Sequence, residues 1–93
     1  MDSPAWIEEP LGPIFVDGQR CEMWVRSEPD SDGTWHNALV FRRSGRAHTR
    51  ESLITGVEWH LPPGIALQRA QELEENDRIA LFRRALDSRA PLI

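Results

Sequence analysis

Four arginines, Arg42, Arg43, Arg46 and Arg50, fall in a stretch with no acid between residues 34 and 50. Arginine keeps its charge and presents a planar fork of donors that suits carboxylates and phosphates. A tight turn at Ser44-Gly45 would set Arg43 opposite Arg46, and like charges facing across a hairpin repel. A bound anion would relieve that repulsion. With Trp24 or Trp35 nearby, the cluster would form a basic, aromatic patch of the kind that tracks a phosphate backbone and stacks bases. The simpler reading is a solvated hairpin tip whose arginines pair with acids such as Glu22 or Glu51. The candidate binding residues are thus Trp24, Arg42, Arg43, Arg46 and Arg50.

Trp24 has a second use. It lies between Glu22 and Arg26 on the strand face opposite Cys21, Met23 and Val25, which places it on the outer side of a sheet, either exposed there or covered by the proline-rich N-terminal segment. Trp and Arg are the residues most enriched in interface hot spots. Trp35 and Trp59 read as core.

Other chemistry finds little support. None of His36, His48 and His60 has another histidine or a cysteine three or four residues away, and a pair such as Glu58 and His60 supplies only two ligands, so no metal site is expected. Asp30-Ser31-Asp32-Gly33 resembles the middle of a calcium loop, but the position that needs a bidentate Glu is Leu39. Ser27, Ser31 and Ser44 sit in turn sequences, where serine is common. There is no nucleophile elbow, Cys–His motif or phosphate-binding glycine loop. Glu8-Glu9 and Glu74-Glu75 are sequence neighbours, which do not converge on a helix. No catalytic residue, metal or cofactor is expected, and an enzyme is disfavoured.

Composition narrows the class. The 93 residues fit one domain, 40% apolar, with a net charge of −4. Residues 1–33 carry two arginines against eight acids, whereas residues 51–93 carry five against seven. The chain is no general nucleic-acid binder; only one segment is basic. All basic residues are arginine and Lys is absent, which reads as codon bias in a GC-rich, bacterial genome. One cysteine, Cys21, excludes an intrachain disulfide and suits a reducing compartment. The N-terminus lacks the charged and apolar regions of a signal peptide. The longest apolar runs, Ala38–Phe41 and Ile79–Phe82, cannot span a membrane. A cytoplasmic protein is expected.

The elements that position these residues follow from one switch of hydrophobic period, at Pro62-Pro63-Gly64. Before it, short apolar runs alternate with turn residues; after it, they recur at helical spacing. Pro4, Pro10 and Pro13 make residues 1–13 an extended proline-rich arm, leaving residues 14–93 as a single α+β domain. Ile14–Val16 is a short strand that turns at Asp17-Gly18. A second strand runs from Gln19 to Ser27, with Cys21 a buried small hydrophobe. A third runs from Thr34 to Arg42, and a fourth ends near Trp59. A two-residue turn at Ser44-Gly45 mismatches the apolar faces of strands three and four, so the register demands a bulge near residues 48–52 or a wider loop. A helix beginning at Pro63 presents Leu67, Ala70 and Leu73. The later stripe, Ile79, Phe82 and Leu86, is out of phase with it, so a second helix is expected, with Asn76 or Asp77 as its N-cap.

The expected fold is α+β, ββββαα: a four-stranded, mainly antiparallel sheet packed on one face by two C-terminal helices. The expected function is a small non-enzymatic protein-interaction module, a homodimer or accessory subunit. A chain this short buries only about 60% of its unfolded surface, so a partner chain or self-association would add stability. The alternative is an anion- or nucleic-acid-binding module that uses the Arg42–Arg50 hairpin.

Overall fold

A computed structural model describes residues 6–44 and 50–88. Four strands, β1 (Ile7–Val16), β2 (Gln19–Pro29), β3 (Trp35–Ser44) and β4 (Arg50–Val57), precede two helices, α1 (Ile65–Gln71) and α2 (Glu75–Ser88). The sheet order is β1-β2-β3-β4, and every pairing is antiparallel. This is the ββββαα fold expected from the change of period.

Asp17 and Gly18 both take positive φ, 52° and 79°. Val16 pairs with Gln19 across them, which makes a two-residue hairpin whose twist matches its strands. β1 begins at Ile7 rather than at Ile14, so residues 7–13 of the expected arm belong to the sheet. Prolines are tolerated there because β1 is an edge strand, which does not need every N–H for its ladder. The register shifts between Pro10 and Gly12, leaving Leu11 as the extra residue. That bulge resets the alternation after the first proline. Residues 1–5 lie outside the described residues.

Between β2 and β3, the Asp30 N–H donates to the Thr34 carbonyl at 2.8 Å and the Gly33 N–H donates to the Asp30 carbonyl at 3.1 Å. The Asp32 carboxylate accepts from both the hydroxyl and the N–H of Thr34. Those bonds hold its pKa below the usual carboxylate range. The acids of this loop are spent on closing the turn.

The loop between β3 and β4 is wide, and this resolves the register question. Ser44 pairs with Arg50, Arg43 with Glu51 and Phe41 with Leu53. Five residues separate the ends, and matching Phe41 to Leu53 keeps the apolar faces aligned. Arg43 therefore faces an acid, so the repulsion expected between Arg43 and Arg46 does not define this hairpin.

The helices cover one sheet face. Cys21, Met23, Val25, Leu39, Phe41 and Leu53 are buried against Ala66, Ala70, Phe82 and Ala85. Phe41 and Phe82 meet edge to face with centroids 5.4 Å apart, a favourable ring geometry. Leu67, Leu73, Ile79 and Leu86 pack around this centre only partly buried. The alanines take the central positions because a small side chain lets the helix backbone approach the sheet. Trp35 and Trp59 are half-buried rather than core, and the Arg69 guanidinium lies 4.9 Å from the Trp59 ring.

α1 starts at Ile65, later than Pro63, behind Gly64 with φ of 87°. Glu9 of β1 accepts the Gly64 N–H at 2.9 Å. The expected break between helices is present but falls at residues 72–74. Glu74, not Asn76 or Asp77, holds the N-cap position: its carbonyl accepts the Arg78 N–H at 3.0 Å. The Asp77 carboxylate reaches back to the Glu74 N–H at 3.4 Å, the reciprocal half of a capping box. No helix among the described residues is long and apolar enough to cross a membrane.

Candidate interaction surface on the outer sheet face

Alternation along each strand sends every second side chain away from the helices. β2 contributes Arg20, Glu22, Trp24 and Arg26 to this outer face. Trp24 lies between Pro10 and Val40, and Arg26 between Glu8 and Ala38. β4 adds Arg50, Ser52, Ile54 and Gly56, with Ile54 beside Val40.

Glu8 is the centre of the face. Its carboxylate accepts from Arg26 Nε at 2.9 Å, and Arg42 Nη2 donates to both of its oxygens, at 2.7 and 3.0 Å. The Arg26 guanidinium lies 4.5 Å from the Trp6 ring centroid and that of Arg42 lies 5.3 Å from Trp24. The row Trp6, Arg26, Glu8, Arg42, Trp24 thus alternates ring, cation and anion. Cation–π contacts of this kind gain strength as they lose water. Beneath the row, Val40 retains only 1% of its exposure, although it points away from the helices. Burial pushes the Glu8 carboxyl up, but the hydrogen bonds and charges of Arg42 and Arg26 outweigh it and hold the pKa below its ordinary value.

The structure divides the residues singled out from sequence. Trp24 is on the outer face but half-buried rather than exposed. Arg42 belongs to the Glu8 network. Arg43 points to the helix side, where Nε donates to Glu51 Oε1 at 2.7 Å and the guanidinium lies 5.4 Å from the Phe82 ring. Arg50 is exposed at the start of β4, and Arg46 lies outside the described residues. A cleft of about 460 Å³ at this end of the sheet brings Trp24, Arg42, Arg43 and Arg50 together with Arg20 and Glu22. Three of its four arginines have acids: Arg20 pairs with Glu22, Arg42 with Glu8 and Arg43 with Glu51.

Sequence reasoning missed Glu8 and Arg26. Arg26 was visible as a neighbour of Trp24 on the β2 alternation. Glu8 was hidden because its place depends on β1 starting at Ile7.

The other reactive groups are engaged elsewhere. The Cys21 thiol is buried, and burial pushes its pKa up to about 11, so it stays protonated at neutral pH. His36 Nε2 lies 2.8 Å from Asp30 Oδ2, and His60 Nδ1 lies 3.1 Å from the Trp35 carbonyl. Among the described residues no group of three metal-ligating side chains converges; His48 lies outside them. No family model, curated protein or solved structure matches this chain.

Proposed function

We propose that this chain is a small, non-enzymatic protein-interaction module that docks a partner on the helix-free face of its sheet. The observation that carries this reading is the composition of that face. Trp6 is 42% exposed and Ile54 45%, and both flank the ion-paired layer of Glu8, Arg26 and Arg42. Aromatic and arginine side chains held in place before binding lose little entropy when a partner arrives. The suited partner is a protein surface offering apolar side chains with carboxylates around them. In this reading the module needs no cofactor and works in the cytoplasm, where Cys21 stays reduced.

Replacing Trp6 and Trp24 by Ala, singly, tests it by affinity capture from the source cell. Loss of a specific partner, with the chemical unfolding midpoint of the Trp6 variant unchanged, supports the reading. Capture of the same partners by both variants removes it.

The arginine-lined cleft keeps a second reading, in which the module binds a polyanion. Its support is narrower than the sequence implied, because the pairing of Arg43 with Glu51 replaces the expected repulsion. Titration of single- and double-stranded oligonucleotides at low ionic strength decides it. Binding that weakens steeply with salt, and weakens further in Arg50→Ala, supports a phosphate contact; a flat response removes it.

A further inference from the structure

The two edges of the sheet are built differently. β1 carries Pro10, Pro13 and a bulge, all devices that discourage a further strand from pairing. β4 has none of them. Its eight residues hold an unbroken register against β3 with no proline, and Ile54 is exposed at its middle. An edge strand of this kind offers its unpaired backbone groups to another strand.

The outer-face residues along β4 suggest which strand. In order they are Arg50, Ser52, Ile54 and Gly56, and the next position of the same parity is Glu58. The series runs from cation through an apolar centre to anion. An antiparallel copy of the same strand, centred on Ile54, sets Ile54 against Ile54, Ser52 against Gly56 and Arg50 against Glu58. Arg50 and Glu58 are both exposed, and neither makes an ion pair with another described residue. A two-fold axis makes each contact occur twice, the signature of a self-complementary interface. Arg84 of α2 donates to Thr55 Oγ1 and to the Gly56 carbonyl; a carbonyl has a second lone pair for a strand partner.

We propose that β4 pairs antiparallel with β4 of a second copy, centred on Ile54, to form a continuous eight-stranded sheet. This rests on the interaction-module reading and gives it a partner, the chain itself. The dimer joins the two outer faces edge to edge and leaves Trp6 and Trp24 of each copy on the same side of the extended sheet.

Sedimentation equilibrium from micromolar to millimolar concentration tests the register through charge. In Arg50→Glu two acids face each other twice, and in Glu58→Arg two arginines do. Each variant is expected to weaken dimerisation by about tenfold or more, with the unfolding midpoint of the dilute protein unchanged. Mixing the two variants restores complementarity at both contacts, so a heterodimer should form where neither variant dimerises alone. The double variant R50E/E58R should dimerise like the parent. A parent that is monomeric throughout, single variants that dimerise unchanged, or a mixture that fails to pair overturns the proposal. If the parent is monomeric but a foreign partner still binds through Trp24, the edge pairing falls and the interaction reading stands. If the charge exchange succeeds but both Trp→Ala variants keep every partner, the edge pairing stands and the docking face falls.

Discussion

Asn37 holds Leu61 by both of its backbone groups. The Leu61 N–H donates to Asn37 Oδ1 at 2.8 Å, and Asn37 Nδ2 donates to the Leu61 carbonyl at 2.9 Å. The same amide nitrogen lies 3.1 Å from Ser27 Oγ. Asn37 thus acts as a one-residue strand partner for the segment that leaves β4 and turns toward α1. Ser27 and Asn37 are both buried, and a buried polar group is tolerated only when its bonds are made.

Asn37→Ala should therefore cost about 2–4 kcal/mol, because it strands the Leu61 and Ser27 groups as well as removing the amide. Urea unfolding of the parent and the variant measures this. A loss below about 0.5 kcal/mol would mean that water replaces the amide at no cost.

Glu8 sets a pH dependence whose direction follows from its lowered pKa. The folded state holds the Glu8 proton less tightly than the unfolded chain does, so its contribution is fully present above the unfolded value of about 4.3. It is lost as pH falls through the folded value below that. Glu8→Gln removes the anion between Arg26 and Arg42 and should cost about 1–3 kcal/mol at neutral pH. The gap between parent and variant should narrow as pH falls below about 4. Unfolding midpoints across an acid pH series check this; a constant gap would place the contribution of Glu8 in packing rather than charge.

The elements legible in the sequence were those set by local pattern. Alternation placed Cys21, Met23 and Val25 inward and Trp24 outward, and the phase shift after Leu73 announced two helices. What escaped depends on contacts between segments distant in the chain. The prolines of β1 look like strand breakers until an edge position is known. Ser44-Gly45 looks like a tight turn, whereas matching Phe41 to Leu53 requires five residues between the strand ends. Ala70 lay on the stripe with Leu67 and Leu73, but Ala66 and Ala85 are central only because the helices lie close to the sheet, and no local signal separates such alanines from surface ones. The site was legible in part for the same reason. Trp24 and Arg42 could be read, but their counter-ion Glu8 lies 34 residues from Arg42, across a register that sequence alone left undetermined.

The junction between the helices yields the last prediction. α1 has only seven residues, too short to persist without tertiary support. Its C-terminal end leaves carbonyls without helical partners. The Ala70 carbonyl accepts the Leu73 N–H at 3.1 Å, and Arg78 of α2 adds a cap over the end: Nε donates to the Leu73 carbonyl of the junction at 3.1 Å, and Nη2 lies 3.4 Å from the carbonyls of Ala70 and Gln71. A guanidinium also complements the negative end of the helix dipole. Arg78→Ala should cost about 1–2 kcal/mol by these two effects. Arg78→Lys should recover only part of that, because a compact ammonium lacks the planar fork that spans several acceptors. The readout is amide hydrogen exchange resolved by residue. In Arg78→Ala, protection should fall most across α1, while Phe82 and Ala85 of α2 should slow or speed only with global stability. A uniform loss over both helices would mean that Arg78 supports the fold as a whole and does not cap α1.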